Sequence, residues 1–455
     1  MTKKLTIFVL SFAVLIMFFG IISSNNLPKN SKVKAEVLVN ESCNDTEVAD
    51  HPVLMKENSK TNYRVNVLDY GAVGDGVNDD TCSILRAIKA IEDANDDNGT
   101  NRFNSGYTLF FPEGTYRITK TIKITESNIR IEGANSSNTI LYAKDATFDL
   151  VIFDGTKQAL YGSGISNIKI YSPNSTTSGV ALQFINIINS INENVEISGS
   201  YDGLRVSGGG KLYFHDFLLT QTNRTQGLEI GKSLILDGKV GIPSDIHFTN
   251  LQIVPNKDNQ PYTVLFESGD GVFFTSCHFH GGVLFRPDAK GVLASFFFSN
   301  TYFDSALDAL VLFEGSADSY RNFMFSNVYF RDAKDGVRIN TTGVISNISL
   351  SNAKMSEMSA FGINTVTERL VDSIFSNIIF SNNNEENSIT QGDILLMGYG
   401  NIISNTIHQN KNSNSGYAIL LHQFSSGNTV ETVVTSRSNY KQLIINNGLD
   451  NVIRK

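Results

Sequence analysis

A short pattern recurs along the chain from residue 165 onward, and it limits the folds that the chain can adopt. Each copy has an apolar residue, Ser or Thr, Asn or Ser, two variable residues and, in most copies, a final apolar residue. The copies are ISNIKI (165–170), FTNLQI (248–253), FTSCHF (274–279), FSNTYF (298–303), FSNVYF (325–330), ISNISL (345–350), FSNIIF (375–380) and ISNTIH (403–408). An irregular period of roughly 20 to 30 residues indicates stacked supersecondary units.

The repeating units have the composition of short strands. They are rich in Phe, Ile, Val, Ser and Asn, carry glycine at their corners, and show no 3.6-residue periodicity. The repeat therefore predicts an all-β fold, a coil of parallel strands in which like residues of neighbouring coils stack. We expect Phe and Ile inside the coil and Asn at its bends.

An amphipathic helix is predicted just before the first coil. Asp79 and Asp80 are suitable N-cap residues, and Ile84, Ile88 and Ile91 fall on one helical face. Because the open end of a coil exposes apolar side chains and strand edges, we expect this helix to cap the N-terminal end.

The loop GAVGDG at 71–76 comes directly before that helix. Its glycines lack the G-x-G-x-x-G order of a dinucleotide loop, and no Lys-Ser/Thr pair completes a phosphate-binding loop. It also lacks the ligand spacing of a calcium hand. The loop is therefore predicted to turn the chain, and this interpretation is favoured over a metal or nucleotide site.

The N-terminus has the pattern of an export leader. Lys3 and Lys4 precede a predominantly apolar run without charged residues, Leu5–Ile22. The sequence divides into a leader at 1–35, which is either cleaved or retained as an anchor, a linker at 36–62, and one β-helix domain at 63–455. We expect a secreted protein, or one on the outer face of a membrane that it touches only through an uncleaved leader.

Overall charge and cysteine content exclude several classes of partner and site. The net charge of −8 argues against nucleic acid, since phosphate binding requires an excess of Lys and Arg. Three cysteines give neither a disulfide framework nor a cysteine-based zinc site. Stability must therefore come from burial and backbone pairing.

The entry to the coil resembles a known superfamily. The segment VLDYGAVGDGVNDDT at 67–81, the helix after it, and LFFPEGTY at 109–116 are similar to the opening of the pectate lyase superfamily, in particular of its rhamnogalacturonase/epimerase-like domain. The resemblance implies a single-stranded right-handed parallel β-helix of the pectin lyase type. It also implies action on polysaccharides, by hydrolases or lyases, with some members that are not enzymes.

The repeat predicts which side chains stack on the outer wall. If the last apolar residue of each copy points inward, the residues on either side of it point outward. One predicted column is Gln252, His278, Tyr302 and Tyr329, and the other is Val254, His280, Asp304 and Arg331. Four residues further on, Asp308 and Asp335 are expected to stack as well.

These columns supply the candidate site residues. The titratable groups for proton transfer are His280, Asp304, Asp308 and Asp335. The predicted substrate-binding residues are Arg331 and Arg338 for a sugar carboxylate, Tyr302 and Tyr329 as flat faces for sugar rings, and His278.

Each candidate also has a purely structural interpretation. Asp308 and Asp335 precede apolar strands and suit turns, and His280 stands at a His-Gly-Gly corner. The two tyrosines suit a plain aromatic stack. Arg331 beside Asp304 suits a weak surface ion pair.

The sequence therefore predicts an exported enzyme that cleaves an anionic or cell-wall polysaccharide. Glycoside hydrolysis is slightly favoured, because the predicted exposed aspartates outnumber plausible lyase bases. The alternatives are a polysaccharide lyase of the pectate lyase type and a non-catalytic glycan-binding or matrix surface protein. No metal ligand or cofactor is assigned, although a lyase would be compatible with Ca²⁺.

Overall fold

The computed structural model describes most of the chain after residue 62. The described ranges are 63–97, 106–173, 178–220, 225–226, 229–255, 261–288, 291–315, 320–384, 390–409, 416–435, 440 and 442–454, and they belong to one compact unit. The predicted leader at 1–35 and linker at 36–62 lie outside them. Within these ranges, no helix is long and apolar enough to cross a membrane.

Short strands make up most of the described structure. They are Tyr63–Asn66, Asp75–Asp79, Tyr107–Phe111, Gly114–Arg117, Ile122–Ile124, Ile129–Gly133, Thr139–Tyr142, Val151–Asp154, Leu160–Tyr161, Gly164–Tyr171, Val180–Ile185, Ile187–Ser198, Asp202–Ser207, Gly210–Thr220, Thr225–Gln226, Glu229–Ile230, Leu234–Asp237, Ser244–Thr249 and Gln252–Val254. They continue as Tyr262–Phe266, Gly269–Thr275, His278–His280, Gly282–Phe285, Leu293–Ser299, Tyr302–Asp304, Ala309–Gly315, Tyr320–Ser326, Tyr329–Thr341, Ile345–Thr365, Leu370–Val371, Ile374–Ser381, Gly392–Tyr399, Ile402–Gln409, Tyr417–Ser426, Thr429–Thr435, Gln442–Asn446 and Val452–Arg454.

The strands pair in parallel from one coil to the next. Gly269–Thr275, for example, lies between Ser244–Thr249 and Leu293–Ser299 in continuous register. A two-residue antiparallel pair, Thr225–Gln226 with Glu229–Ile230, stands apart from this sheet. The predicted right-handed parallel β-helix is confirmed.

The third position of the sequence motif is a backbone bend in every copy. Its φ angle is positive, between 51° and 57°, at Asn167, Asn250, Ser276, Asn300, Asn327, Asn347, Asn377 and Asn405. Asn enters this left-handed region more easily than most residues, because its short polar side chain can hydrogen-bond locally. The motif is therefore the signature of the corner between two strands of a coil.

A phenylalanine ladder fills the interior beside these corners. The rings of Phe214, Phe248, Phe274, Phe298 and Phe325 are buried and stacked, with successive centroids 4.8–4.9 Å apart. Each fully buried Phe contributes about 1.5–3 kcal/mol of hydrophobic stabilisation, and each stacked pair adds about 0.5–1.5 kcal/mol. The predicted internal ladder is thus present and holds adjacent coils together.

The predicted helix spans Thr81–Asp97. Ile84, Ile88 and Ile91 are buried in the core cluster that includes the first coils. The hydroxyl of Tyr107, on the first strand after the helix, donates to the carbonyl of Ala94 at 3.4 Å. The helix therefore lies where the sequence predicts, and its function as a cap stays a prediction.

The glycine-rich loop before the helix is folded around one aspartate. The Asp80 side chain is buried and accepts hydrogen bonds from the backbone N–H of Val73, at 2.6 Å, and of Gly74, at 3.2 Å. Gly74 has φ +69°, and a Cβ there would lie 3.0 Å from the ring of Tyr116. The loop makes the close turn that the sequence indicates, and Asp80 acts as its internal acceptor instead of as a plain N-cap.

Replacement of Asp80 by Ala is expected to destabilise the first coil. The substitution leaves two backbone donors without an acceptor, which costs about 2–4 kcal/mol of unfolding free energy. Asp93→Ala is the matched control, because Asp93 lies on the helix that follows Asp80 and forms an exposed ion pair with Lys89; its expected cost is below about 1 kcal/mol. Urea unfolding followed by circular dichroism measures both. Equal effects would show that the loop does not depend on Asp80.

Candidate active site

Three short strands carry the predicted outer columns. They are His278–His280, Tyr302–Asp304 and the start of Tyr329–Thr341. His278 pairs with Tyr302 and then Tyr329, while His280 pairs with Asp304 and then Arg331. Phe279, Phe303 and Phe330 lie between these residues and point inward, with stacked rings. The predicted register is confirmed from Gln252 to Tyr329 in the first column and from His280 to Arg331 in the second.

The rings of the aromatic column, His278, Tyr302 and Tyr329, stack on one another. The centroid of His278 lies 4.8 Å from that of Tyr302, and the centroid of Tyr302 lies 5.1 Å from that of Tyr329, with nearly parallel rings. The ammonium of Lys354, in the next coil, lies 5.0 Å from the centroid of Tyr329. The faces of Tyr302 and Tyr329 are therefore covered. The prediction that they offer flat faces to sugar rings is wrong, and only their edges and hydroxyls point outward.

Two imidazoles and a carboxylate converge beside this column. Nε2 of His278 lies 4.0 Å from Oδ2 of Asp304, and one ligand atom from each of His278, His280 and Asp304 lies within 4.8 Å of the others. All three side chains are partly exposed. Burial lowers the pKa of His278 below its ordinary value, although the Asp304 carboxylate opposes this shift. The hydroxyl of Ser305 donates to Oδ1 of Asp304 at 2.9 Å and orients that carboxylate.

Arg331 continues the second column as an exposed cation. Its Nε donates to Glu357 at 2.8 Å, and the guanidinium lies near the Tyr302 hydroxyl. The hydrogen bond to Glu357 raises the pKa of Arg331 above its ordinary value. Among the described residues, Arg331 forms its ion pair with Glu357 and not with Asp304. Glu357 and Lys354 were missed in the sequence. Counting one further coil from Tyr329 gives Lys354, whereas Arg331 aligns with Ser356, which precedes Glu357.

Asp335 is not an exposed stacked carboxylate, which corrects the sequence prediction. It is fully buried and pairs in register with Ala309 instead of Asp308. It accepts hydrogen bonds from Nε of Arg338 at 2.6 Å, from the Asn364 amide at 2.9 Å and from the backbone N–H of Phe361 at 3.1 Å. Burial raises the pKa of Asp335 in spite of these donors.

Asp308 and Arg338 complete that network and are engaged by it. Nη1 of Arg338 donates to Asp308 at 2.7 Å, and the hydroxyl of Tyr262 donates to the same oxygen at 2.8 Å. Burial pushes the pKa of Asp308 upward, but these hydrogen bonds outweigh it and hold the pKa below its ordinary value. The structure therefore favours a structural interpretation of Asp308, Asp335 and Arg338.

A second buried polar cluster carries no signal in the sequence. Nδ1 of His408 lies 2.7 Å from Asp393, its Nε2 lies 3.0 Å from the Thr406 hydroxyl, and Tyr440 donates to Asp393. The order Thr-His-Asp is that of a nucleophile, a base and an orienting acid. His408, Thr406 and Asp393 are almost completely buried, so a polymer has no access to them. This cluster joins the last coils.

Comparison with known proteins agrees with the fold. Residues 64–264 match the family model described as rhamnogalacturonase A/epimerase, pectate lyase-like. The match ends before His278, so it does not cover the candidate site. Together with the architecture above, the match agrees with a pectate lyase-like right-handed β-helix fold.

Particular relatives are similar to this chain over different extents. Mannuronan C5-epimerase AlgE1 of Azotobacter vinelandii is 35% identical over 111 residues, which cover 22% of this chain and 7% of the relative. The chain spans a tenth or less of the length of each of the four matched AlgE relatives.

Solved structures share the fold along most of the chain. The AlgE4 A-module of A. vinelandii has a TM-score of 0.51 at 14% identity, covering 85% of this chain and 99% of the module. Tailspike protein 3 of bacteriophage CBA120 has a TM-score of 0.54 at 12% identity, covering 84% of this chain and 60% of the tailspike. At these identities the likeness shows the fold alone.

Replacement of Asp335 by Ala is expected to lower stability strongly. It leaves the largely buried Arg338 cation without its nearest partner, a loss that costs about 3–5 kcal/mol. Glu357→Ala breaks an exposed arginine pair and serves as the control, with an expected cost below about 1 kcal/mol. The midpoint of urea unfolding measures both. If Asp335→Ala removed activity without moving the midpoint, Asp335 would return to the list of catalytic residues.

Proposed function

We propose that the protein is an enzyme that removes the proton from C5 of a uronic-acid residue in an anionic polysaccharide. The single observation that supports this best is the exposed line of His280, Asp304 and Arg331 on one wall of the coil. In the proposed site His280 is the proton acceptor, and Arg331, two coils further along the same column, is the cation that binds a sugar carboxylate. The relative named mannuronan C5-epimerase supports the same class of substrate.

The reaction needs positive charge at the carboxylate, because the C5 proton is acidic only when that charge is neutralised. Arg331 supplies it: Glu357 takes Nε, and the guanidinium has further N–H donors for the sugar. The imidazole of His280 accepts the C5 proton, with Asp304 aligned beside it in the next coil.

In the elimination, the electrons of the C5–H bond form the C4–C5 double bond while the C4–O bond breaks. The leaving oxygen then takes a proton from the Tyr302 hydroxyl. Burial raises the pKa of Tyr302, so the hydroxyl keeps its proton at neutral pH and can donate it. The product is an unsaturated sugar at the new end of the chain. If C5 is reprotonated from the opposite face of the ring before the C4–O bond breaks, the same first step gives epimerisation.

Glycoside hydrolysis is the second candidate, and Asp304 is the observation in its favour. A glycosidase of this kind needs two accessible carboxyl groups, of which one carries a proton. Asp304 is partly exposed, but Asp335 is buried and Asp308 is held as a carboxylate by Arg338 and Tyr262. The slight preference for hydrolysis from the sequence therefore gives way to proton abstraction.

Incubation with a panel of uronic-acid polymers tests the proposal. Ultraviolet absorbance of an unsaturated product supports elimination, and deuterium uptake at C5 from heavy water without that absorbance supports epimerisation. New reducing ends with neither signal overturn the proposal in favour of hydrolysis. Binding of a polymer without any of the three signals overturns it in favour of a non-catalytic glycan-binding protein.

His280→Gln is expected to lower kcat/KM by about 10²–10⁴-fold, because the proton acceptor is lost. His247→Gln is the matched control: His247 is also a partly exposed imidazole in an outer aromatic stack, between Tyr213 and Phe273. It is expected to keep full activity. Equal losses in the two variants would show that His280 acts only through the fold.

We also propose that the enzyme acts outside the cytoplasm. Lys3, Lys4 and the apolar run Leu5–Ile22 support this, because they have the pattern of an export signal. Cell fractionation of the producing organism tests it, and an intracellular location of the whole chain would contradict it.

A further inference from the structure

His278 and His280 lie two residues apart on one strand, with Asp304 on the neighbouring strand. Side chains at i and i+2 of a strand project from the same face, so both imidazoles point outward from the coil. Asp304 pairs with His280 in register and is diagonal to His278. One ligand atom from each of the three residues lies within 4.8 Å of the others.

The surroundings of His278 suit metal binding. Its Nε2 is enclosed and has no hydrogen-bond partner among the described residues, while Oδ2 of Asp304 is 4.0 Å away. An enclosed polar atom without a partner is unfavourable, and ligation removes that cost.

The Asp304 carboxylate is oriented for the same purpose. Its Oδ1 accepts the Ser305 hydroxyl at 2.9 Å, which leaves Oδ2 on the side of His278. Hydrogen bonds of this kind hold the ligands of a metal in position. Tyr302 stacks at 4.8 Å on the ring of His278 and fixes its plane.

We propose that His278, His280 and Asp304 bind one divalent transition-metal ion, such as Zn²⁺, on the outer wall of the coil. Ligand atoms around tetrahedral Zn²⁺ lie about 3.3 Å apart, so partly exposed side chains must close by at most about 1.5 Å. Two nitrogen ligands and one carboxylate favour Zn²⁺ or Co²⁺, whereas Ca²⁺ takes oxygen ligands. The remaining coordination positions of the metal face solvent and stay open for water or a ligand carboxylate.

Metal binding at this site has a consequence that rests on the proposed function. The metal occupies the imidazole nitrogen that His280 would use to accept the C5 proton. The metal-bound enzyme is therefore inactive in proton abstraction, and a chelator restores its activity. The site is in this sense a metal-dependent switch placed on the reacting group.

Titration of the tag-free, chelator-treated chain with Co²⁺ tests the binding directly. We expect one ion per chain with the intense visible absorption of a low-coordinate site, reversal by Zn²⁺, and no change on adding excess Ca²⁺. His278→Gln and Asp304→Asn are each expected to weaken binding by more than about tenfold, which is the lower end of the cost of losing even a supporting contact. His247→Gln should bind as the parent does.

Three results would overturn the proposal. They are the absence of the Co²⁺ absorption in the parent chain, equal binding in His278→Gln, and displacement of Co²⁺ by Ca²⁺. Circular dichroism checks that each variant is folded, and a rise in the thermal midpoint with Zn²⁺ in the parent but not in His280→Gln gives a second reading. These measurements need no substrate. If the metal binds but no uronan is turned over, the site stands and only the proposed function fails.

Discussion

The left-handed bend at the third position of the motif is the constraint on which the rest of the structure depends. It recurs at each corner from Asn167 to Asn405 and turns the chain between two strands of a coil. Because strands on either side of these bends start in the same register, like residues meet from coil to coil. The Phe214–Phe325 ladder inside and the His278–Tyr329 stack outside are two results of this one backbone feature.

Much of the fold follows from the sequence for this reason. The bends leave a visible Asn or Ser signature, and side chains alternate between inside and outside along each strand. His280, Asp304 and Arg331 could therefore be placed on one column by counting alone. Counting could not identify the contacts of these side chains. Arg331 donates a hydrogen bond to Glu357, and the rings of Tyr302 and Tyr329 stack on each other.

Asp335 shows where counting fails. Ser305 and Asp332 are equivalent bends, with φ 55° and 58°. The next aligned pair is Ala309 and Asp335, so the turn after Ser305 is one residue longer than the turn after Asp332. Counting from Asp308 therefore misplaces Asp335, which is buried, and Arg338 and Asn364 compensate its burial. The sequence carries no mark of this extra residue, since Asp suits both settings.

The extra residue between Ser305 and Ala309 has a meaning beyond this one turn. The coils above and below keep their stacking although the turn between them differs in length. A change of this size can therefore be inherited without loss of the fold, and each coil can vary separately from its neighbours. In such an architecture, new surface chemistry can evolve one coil at a time.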